Sequence, residues 1–104
     1  MSVEKIQIID RRNTVTLKGT YLLKNEGTML RSRGKFTAWG QGVQMMGLVM
    51  QRLQEEATKR NMPIVDEYIA VNDASINLIK QFTEYSRTGD DGKGHPVYTR
   101  RYEP

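Results

Sequence analysis

Apolar and polar residues alternate over residues 5–9 at the start of the chain, and this two-residue period predicts a strand. Residues 14–23 are rich in β-branched and aromatic side chains, which predicts a second strand. A third strand is expected to begin at residue 28 and to run through residue 35. Turn-forming residues separate these segments. We expect Gly19 to form a bulge or a kink within the second segment. The first third is therefore predicted to be an antiparallel meander.

A helical period replaces the alternation after residue 41. Apolar residues at helical spacings form one continuous stripe: Met45, Met46, Val49, Met50, Leu53 and Ala57. Gly47 costs about 1 kcal/mol of helix propensity relative to alanine, which indicates close packing on a neighbouring backbone or ligand. We expect the helix to end near Asn61, a residue type that accepts a left-handed cap, because Pro63 forbids continuation.

A strand and a second helix are predicted next. Residues 64–71 have high β-propensity. Asn72 or Asp73 is a suitable cap for the helix that follows. Its apolar face is predicted to contain Ser75, Leu78, Ile79 and Phe82.

The chain ends in a predicted hairpin. Residues 85–87 and 96–102 flank a polar loop with three glycines. The order of elements predicts an α+β fold with a mixed α/β sheet, in one domain over residues 1–104. An antiparallel meander is followed by helix-strand-helix and a C-terminal β-hairpin.

The composition restricts the possible chemistry. The chain has 104 residues, a formal net charge of +4 and no cysteine, which excludes disulfides, thiolate nucleophiles and most zinc sites, so no metal is expected. No apolar run approaches the ~20 residues of a membrane span, and the first residues lack a signal-peptide pattern. We therefore expect a cytoplasmic protein without membrane contact. The charge favours anionic partners, although a solvated basic surface is its commoner cause.

Two glycines open the central helix. Gly40 and Gly42 flank Gln41 directly before the amphipathic segment. Glycine lets a ligand approach the main chain closely, and the free N–H groups of a helix start point toward a bound anion. The segment therefore predicts either a phosphate cradle or a plain turn and cap.

Three motifs occur in an order that points to a family. Residues 39–44 are Trp-Gly-Gln-Gly-Val-Gln, residues 71–78 are Val-Asn-Asp-Ala-Ser-Ile-Asn-Leu, and the chain closes on a Gly-rich turn with a Tyr-containing last strand. The first looks like the pyrophosphate loop of the GNAT superfamily of acyl-CoA-dependent N-acetyltransferases, and the second is similar to its strand-end segment. Residues 15–102 thus resemble the C-terminal two thirds of that superfamily, as a short, divergent member of a kind that occurs in phage proteomes.

The resemblance implies acetyl-CoA as cofactor and acyl transfer to an amine of a protein or small molecule. Backbone N–H groups of consecutive residues would hold the pyrophosphate: Gly40, Gln41, Gly42, Val43, Gln44 and Met45. The strand before the loop and the strand over 64–71 would splay apart to admit the pantetheine arm, with Asn72 beside it. The unprotonated amine would attack the thioester, with a backbone N–H polarising its carbonyl and a general acid protonating the departing thiolate.

Two side chains are candidates for the proton transfers. Many members of the superfamily have a tyrosine that acts as the general acid where this chain has Ile79. Tyr85 is therefore the candidate general acid, with packing as its alternative role. Glu67 is the candidate group that draws a proton from the amine through water, and a surface charge is its alternative role. Strand alternation turns either Asp66 or Glu67 away from the core. His95 has neither a cysteine nor a convincing serine partner for a catalytic triad.

Two further functions fit the sequence. The chain has Ala38-Trp39 where the family has Arg or Gln, and the Gln44 side chain would crowd a phosphate; these departures favour a catalytically inactive, phage-encoded component or inhibitor that binds a host protein. A nucleic-acid-binding module would instead use the basic residues Arg31, Arg33, Lys35, Arg100 and Arg101. A homodimer would hide an edge of so small a sheet.

Overall fold

The computed structural model describes residues 3–12, 15–37 and 41–104. Its elements, in chain order, are β1 (Val3–Arg12), β2 (Val15–Asn25), β3 (Leu30–Thr37), α1 (Gly42–Arg60), β4 (Ile64–Ile69), α2 (Asp73–Ile79), β5 (Ser86–Asp90) and β6 (Pro96–Tyr102). The predicted α+β class, with a meander, a helix-strand-helix unit and a closing hairpin, is confirmed.

All six strands form one sheet in the order β1-β2-β3-β4-β6-β5. Strands β3 and β4 pair in parallel, and the other neighbours pair antiparallel. A parallel pair needs a long crossover between its strands, and α1 supplies it. The sheet is therefore mixed, with its parallel pair at the centre.

The prediction of a bulge at Gly19 is wrong. Gly19 pairs with Ile8, and the antiparallel register is unbroken on both sides of that pair. A lone glycine can adopt ordinary extended geometry, and the paired residues on either side keep β2 continuous. The irregularity of the sheet lies instead in β5, between Arg87 and Gly89.

Helix α1 follows its predicted pattern closely. Its buried side includes Met45, Met46, Val49, Leu53 and Ala57. Asn61 takes the left-handed conformation with φ of 49° and ends the helix as predicted. The close packing expected at Gly47 is wrong, because this residue is exposed and a Cβ there would meet nothing within 4 Å.

The core lies on one face of the sheet. Alternate strand residues point into it, among them Ile6, Ile8, Tyr21, Leu23, Ile64, Tyr68 and Tyr98. The buried side of α1 and Ile79 of α2 belong to the same cluster. The residues between them, such as Ile9 and Leu22, point to the other face of the sheet and are about half exposed. The sheet thus has an inward face under both helices and an outward face.

Candidate functional site

The parallel strands separate before they end. Their pairing runs from Leu30 opposite Ile64 to Arg33 opposite Glu67, although β3 continues to Thr37 and β4 to Ile69. The carboxyl ends of the two strands therefore diverge. A cleft of about 1500 Å³ opens at this edge of the sheet, a place where α/β sheets commonly bind ligands.

Residues from both faces of the sheet line the cleft. The helix side is formed by the first turn of α1 and by α2, including Gly42, Val43, Gln44, Asn72, Ala74 and Ser75. Lys18, Thr20, Arg33 and Lys35 come from the outward face, and Asp91, Lys93 and His95 come from the last hairpin loop. The opening therefore connects the helix starts with the outward face of the sheet.

The start of α1 has free N–H groups beside the cleft. Gln41 occupies the N-cap position without a side-chain hydrogen bond, and the first turn contains no acid. The Met45 N–H already donates to the Gln41 carbonyl at 3.0 Å, and the Met45 side chain is in the core. The first turn up to Gln44 can therefore face an anion, whereas Met45 cannot. Gly40 lies outside the described residues.

Gly42 has a packing role that the sequence does not reveal. A Cβ at this position would lie 2.8 Å from Cδ2 of Leu78 in α2. The glycine thus lets the start of α1 approach α2. The Gln44 side chain, expected to crowd a phosphate, is exposed.

Asn72 caps α2 at the wall of the cleft. Its side chain accepts a hydrogen bond from the Ser75 N–H at 2.8 Å, and its own N–H donates to the Ser75 hydroxyl at 3.0 Å. This reciprocal pair is a capping box. Asn72 thus lines the cleft and also fixes the start of a helix.

We expect Asn72→Ala to lower the free energy of unfolding by about 1 kcal/mol, because the first N–H groups of α2 lose their acceptor. Asn72→Ser should retain most of the stability, since serine also caps helices. Urea unfolding of the three proteins measures both effects. Equal losses in the two variants would contradict the capping role.

Glu67 lies at the cleft but is bound by two arginines. Its Oε1 accepts a hydrogen bond from Arg33 Nε at 2.8 Å, and its Oε2 accepts one from Arg31 at 3.3 Å. Arg31 also binds both carboxylate oxygens of Glu26. The Glu67 carboxylate is thus outward-facing and charge-compensated.

Tyr85 lies in the core and not at the cleft. It is 5% exposed, and its hydroxyl bonds Asp66 Oδ2 at 2.6 Å and the Tyr102 hydroxyl at 2.8 Å. Burial and the nearby Asp66 charge raise the Tyr85 pKa well above its usual value. An acid role would require the hydroxyl to reach the cleft, so this position gives Tyr85 a structural role.

Asp66 is the inward member of the acidic pair. It is 1% exposed and accepts a hydrogen bond from the Ser32 hydroxyl at 2.7 Å as well as the one from Tyr85. Burial raises the Asp66 pKa to about 6, against the opposing effect of these two donors. Strand alternation was the available signal, but it did not say which acid faces inward.

His95 is a cleft residue that the sequence argument set aside. Its Nδ1 lies 2.8 Å from Asp91 Oδ2. Burial raises the Asp91 pKa. Hydrogen bonds from the His95 ring and from the backbone N–H groups of Lys93 and His95 outweigh this effect and lower the pKa to about 2. A carboxylate on Nδ1 favours the tautomer that leaves Nε2 as a proton acceptor. The only sequence signal was the four-residue spacing of Asp91 and His95.

Metal-binding clusters and membrane-spanning helices are both absent from the described ranges. No group of three or more His, Asp or Glu side chains there is arranged to hold a metal ion. No helix of that part of the chain is both long and apolar enough to cross a membrane.

Comparison with protein-family models, curated proteins and solved structures finds no match to this chain. Only the sequence motifs and the geometry of the cleft therefore bear on the function.

Proposed function

We propose that the protein is an acetyl-CoA-dependent N-acyltransferase with a GNAT-like fold, acting on an amine of a protein or small molecule. The divergence of β3 and β4 carries this proposal. Parallel pairing stops at Arg33 and Glu67, and the opening lies beside the free start of α1. A splayed strand pair next to a glycine-containing helix start is the arrangement that the sequence resemblance implies.

The cleft residues fit the phosphates and the arm of CoA. The first-turn N–H groups, from Gln41 to Gln44, would hold the pyrophosphate with the positive end of the helix dipole. Lys18, Lys35 and Lys93 line the same cleft and complement the phosphate charge. Its volume of about 1500 Å³ exceeds that of common small-ligand pockets.

The chain itself would handle the proton of the acceptor. Acetyl-CoA, when bound, supplies the acetyl thioester that the neutral amine attacks. His95 lines the cleft with Asp91 on its Nδ1, so Nε2 would accept the proton that the amine nitrogen loses while the carbon–sulfur bond breaks and CoA leaves as the thiolate. His95 thereby takes the role first assigned to Glu67, whose carboxylate is bound by Arg31 and Arg33.

Calorimetry with acetyl-CoA tests the cofactor site. Ala74 is exposed in the first turn of α2 and lines the cleft, so Ala74→Trp should fill the opening without disturbing the core. Thr83→Trp places the same side chain at an exposed position away from the cleft lining. We expect micromolar binding by the wild type and by Thr83→Trp, and binding at least about tenfold weaker by Ala74→Trp.

A second titration uses acetyl-pantetheine, which lacks the pyrophosphate and the nucleotide of acetyl-CoA. Its binding should be weaker than that of acetyl-CoA in the wild type, because the start of α1 then has no anion to bind. Absence of acetyl-CoA binding by the folded wild type would remove the enzyme proposal.

A catalytically inactive interaction protein is the second candidate. Its support is that neither candidate catalytic side chain is available at the cleft, since Tyr85 is buried and Glu67 is paired with arginines. If the protein is a phage-encoded component or inhibitor of this kind, its partner would be a protein of the host cell, and acetyl-CoA would not bind.

A further inference from the structure

The outward face of the sheet presents an ordered grid of side chains. Register alignment places Lys5, Leu22, Arg33, Glu67 and Thr99 in one row across five strands. A second row contains Val3, Lys24, Arg31, Val65 and Arg101. Both helices pack on the other side of the sheet.

Positive charge dominates this grid. Its basic members are Lys5, Lys18, Lys24, Arg31, Arg33, Lys35 and Arg101. Among the outward strand positions whose side chains the structure describes, Glu67 is the only acid. Both of its oxygens are already bound by Arg31 and Arg33. Two carboxylates beside the strands also pair with this grid, Glu26 with Arg31 and Glu103 with Arg101. Its basic side chains still outnumber Glu26, Glu67 and Glu103, so the basic outward face, as we name this surface, has charge in excess of these counterions.

Apolar side chains lie between the charges. Val3 is 60% exposed, Ile9 47% and Leu22 46%, and each occupies an outward register position. Leu22 stands directly between Lys5 and Arg33 in its row. A partner that fits this face therefore has anionic groups alternating with apolar ones.

No described aromatic ring is available on this face for base stacking. The tyrosines are all buried: Tyr21, Tyr68, Tyr85, Tyr98 and Tyr102. Recognition of single-stranded nucleic acid relies heavily on such stacking. Guanidinium groups of this face already bind carboxylates, with Arg33 Nε 2.8 Å from Glu67 and Arg31 Nε 2.8 Å from Glu26. The chemistry thus favours carboxylates and apolar side chains over nucleotides.

We propose that the basic outward face docks an acidic polypeptide segment in which apolar residues alternate with Asp or Glu. Outward side chains along β3 recur about every 6.6 Å, the same repeat as alternate side chains of an extended peptide. Carboxylates of the segment pair with Lys24, Arg33 and Lys35, while its apolar residues cover Leu22. Because Arg33 and Lys35 also line the cleft, the docked segment passes its mouth. Docking of such a segment does not require acyl transfer.

Selection from a random twelve-residue peptide display library, without acetyl-CoA, tests the partner class. We expect the selected peptides to be enriched in Asp and Glu with apolar residues between them. The best peptide, labelled with fluorescein, is then measured by fluorescence anisotropy. Its affinity should fall as salt rises, because the charges on this face are exposed. Selected peptides without acidic enrichment would overturn the proposal.

A matched pair of charge reversals locates the binding surface. Lys24→Glu with Lys35→Glu should weaken the peptide at least about tenfold, since attraction becomes repulsion at two sites. Lys59→Glu with Lys80→Glu makes the same charge change at exposed positions in the last turn of α1 and at the C-cap of α2 and should leave most of the affinity. Equal effects of the two double variants would refute the location.

A labelled twenty-nucleotide single strand and a duplex of the same length are measured in parallel. Tighter binding of either nucleic acid than of the best peptide, lost in Lys24→Glu with Lys35→Glu, would replace the acidic segment by a phosphate backbone as the occupant. Thermal unfolding of each variant confirms that the native fold is retained during these measurements.

Discussion

A single methyl group at position 34 is expected to lower the free energy of unfolding by about 2–3 kcal/mol. Gly34 on β3 is directly opposite Tyr21 on β2. A Cβ in Gly34→Ala would overlap Cζ, Cε1 and Cε2 of the tyrosine ring, at distances too short for any van der Waals contact. Tyr21 is 2% exposed, so the ring has little room to move aside. Urea unfolding measures the loss.

Gly47→Ala is the control for the same chemical change. Gly47 lies inside α1, where a Cβ meets nothing within 4 Å. Alanine should raise the free energy of unfolding by about 0.5–1 kcal/mol there, because it has the higher helix propensity. Opposite signs at the two glycines are the expected result.

The Tyr21→Ala background tests the cause of the loss. Removing the ring opens the space above Gly34, so Gly34→Ala should cost little in that background. A full loss that persists without the ring would contradict the steric explanation and would point to the backbone of β3.

Helix α1 was predictable because its signals are local, whereas α2 ends at Ile79, before Phe82 of its predicted apolar face. The stripe from Met45 to Ala57 has one period, and Asn61 followed by Pro63 marks its end. The prediction of a bulge at Gly19 was wrong because a lone glycine is compatible with both a bulge and a continuous strand. Only the register with Ile8 on the neighbouring strand distinguishes the two.

The site was less predictable because its contacts are distant in sequence. The first turn of α1, where the glycines suggested a phosphate cradle, lines the cleft. However, the reason for Gly42 is its contact with Leu78, which is on another helix. The binding of Glu67 by Arg31 and Arg33 depends on the pairing of β3 with β4. No local pattern in the sequence contains these neighbours.

The buried acid gives the second large effect. We expect the stability of the wild type to fall by about 3 kcal/mol between about pH 4 and pH 7 through Asp66 alone. Burial raises the pKa of Asp66 from 3.8 to about 6 in the folded protein. Between these values the native state binds more protons than the unfolded chain. The stabilisation is therefore complete below the unfolded pKa and is lost as pH rises through the folded pKa.

Asp66→Asn isolates this effect from the other titrating groups. Glu26 and Asp91 have lowered pKa values, so their stabilisation is lost as pH falls, and they act alike in both proteins. The difference in unfolding free energy between wild type and Asp66→Asn, measured in urea from pH 4 to pH 7.5 at about half-unit steps, should therefore contain the Asp66 contribution. Parallel pH profiles of the two proteins would contradict it.

Removal of either hydroxyl that donates to Asp66 shows whether hydrogen bonds limit the rise in the Asp66 pKa. Tyr85→Phe deletes the donor to Oδ2 of Asp66, and Ser32→Ala deletes the donor to Oδ1. Each donor favours the charged carboxylate, so each loss should raise the Asp66 pKa further and extend the fall in stability to higher pH. If both variants instead kept the wild-type midpoint, burial alone would set the Asp66 pKa, and the network of Ser32, Asp66 and Tyr85 would serve only to satisfy buried polar groups.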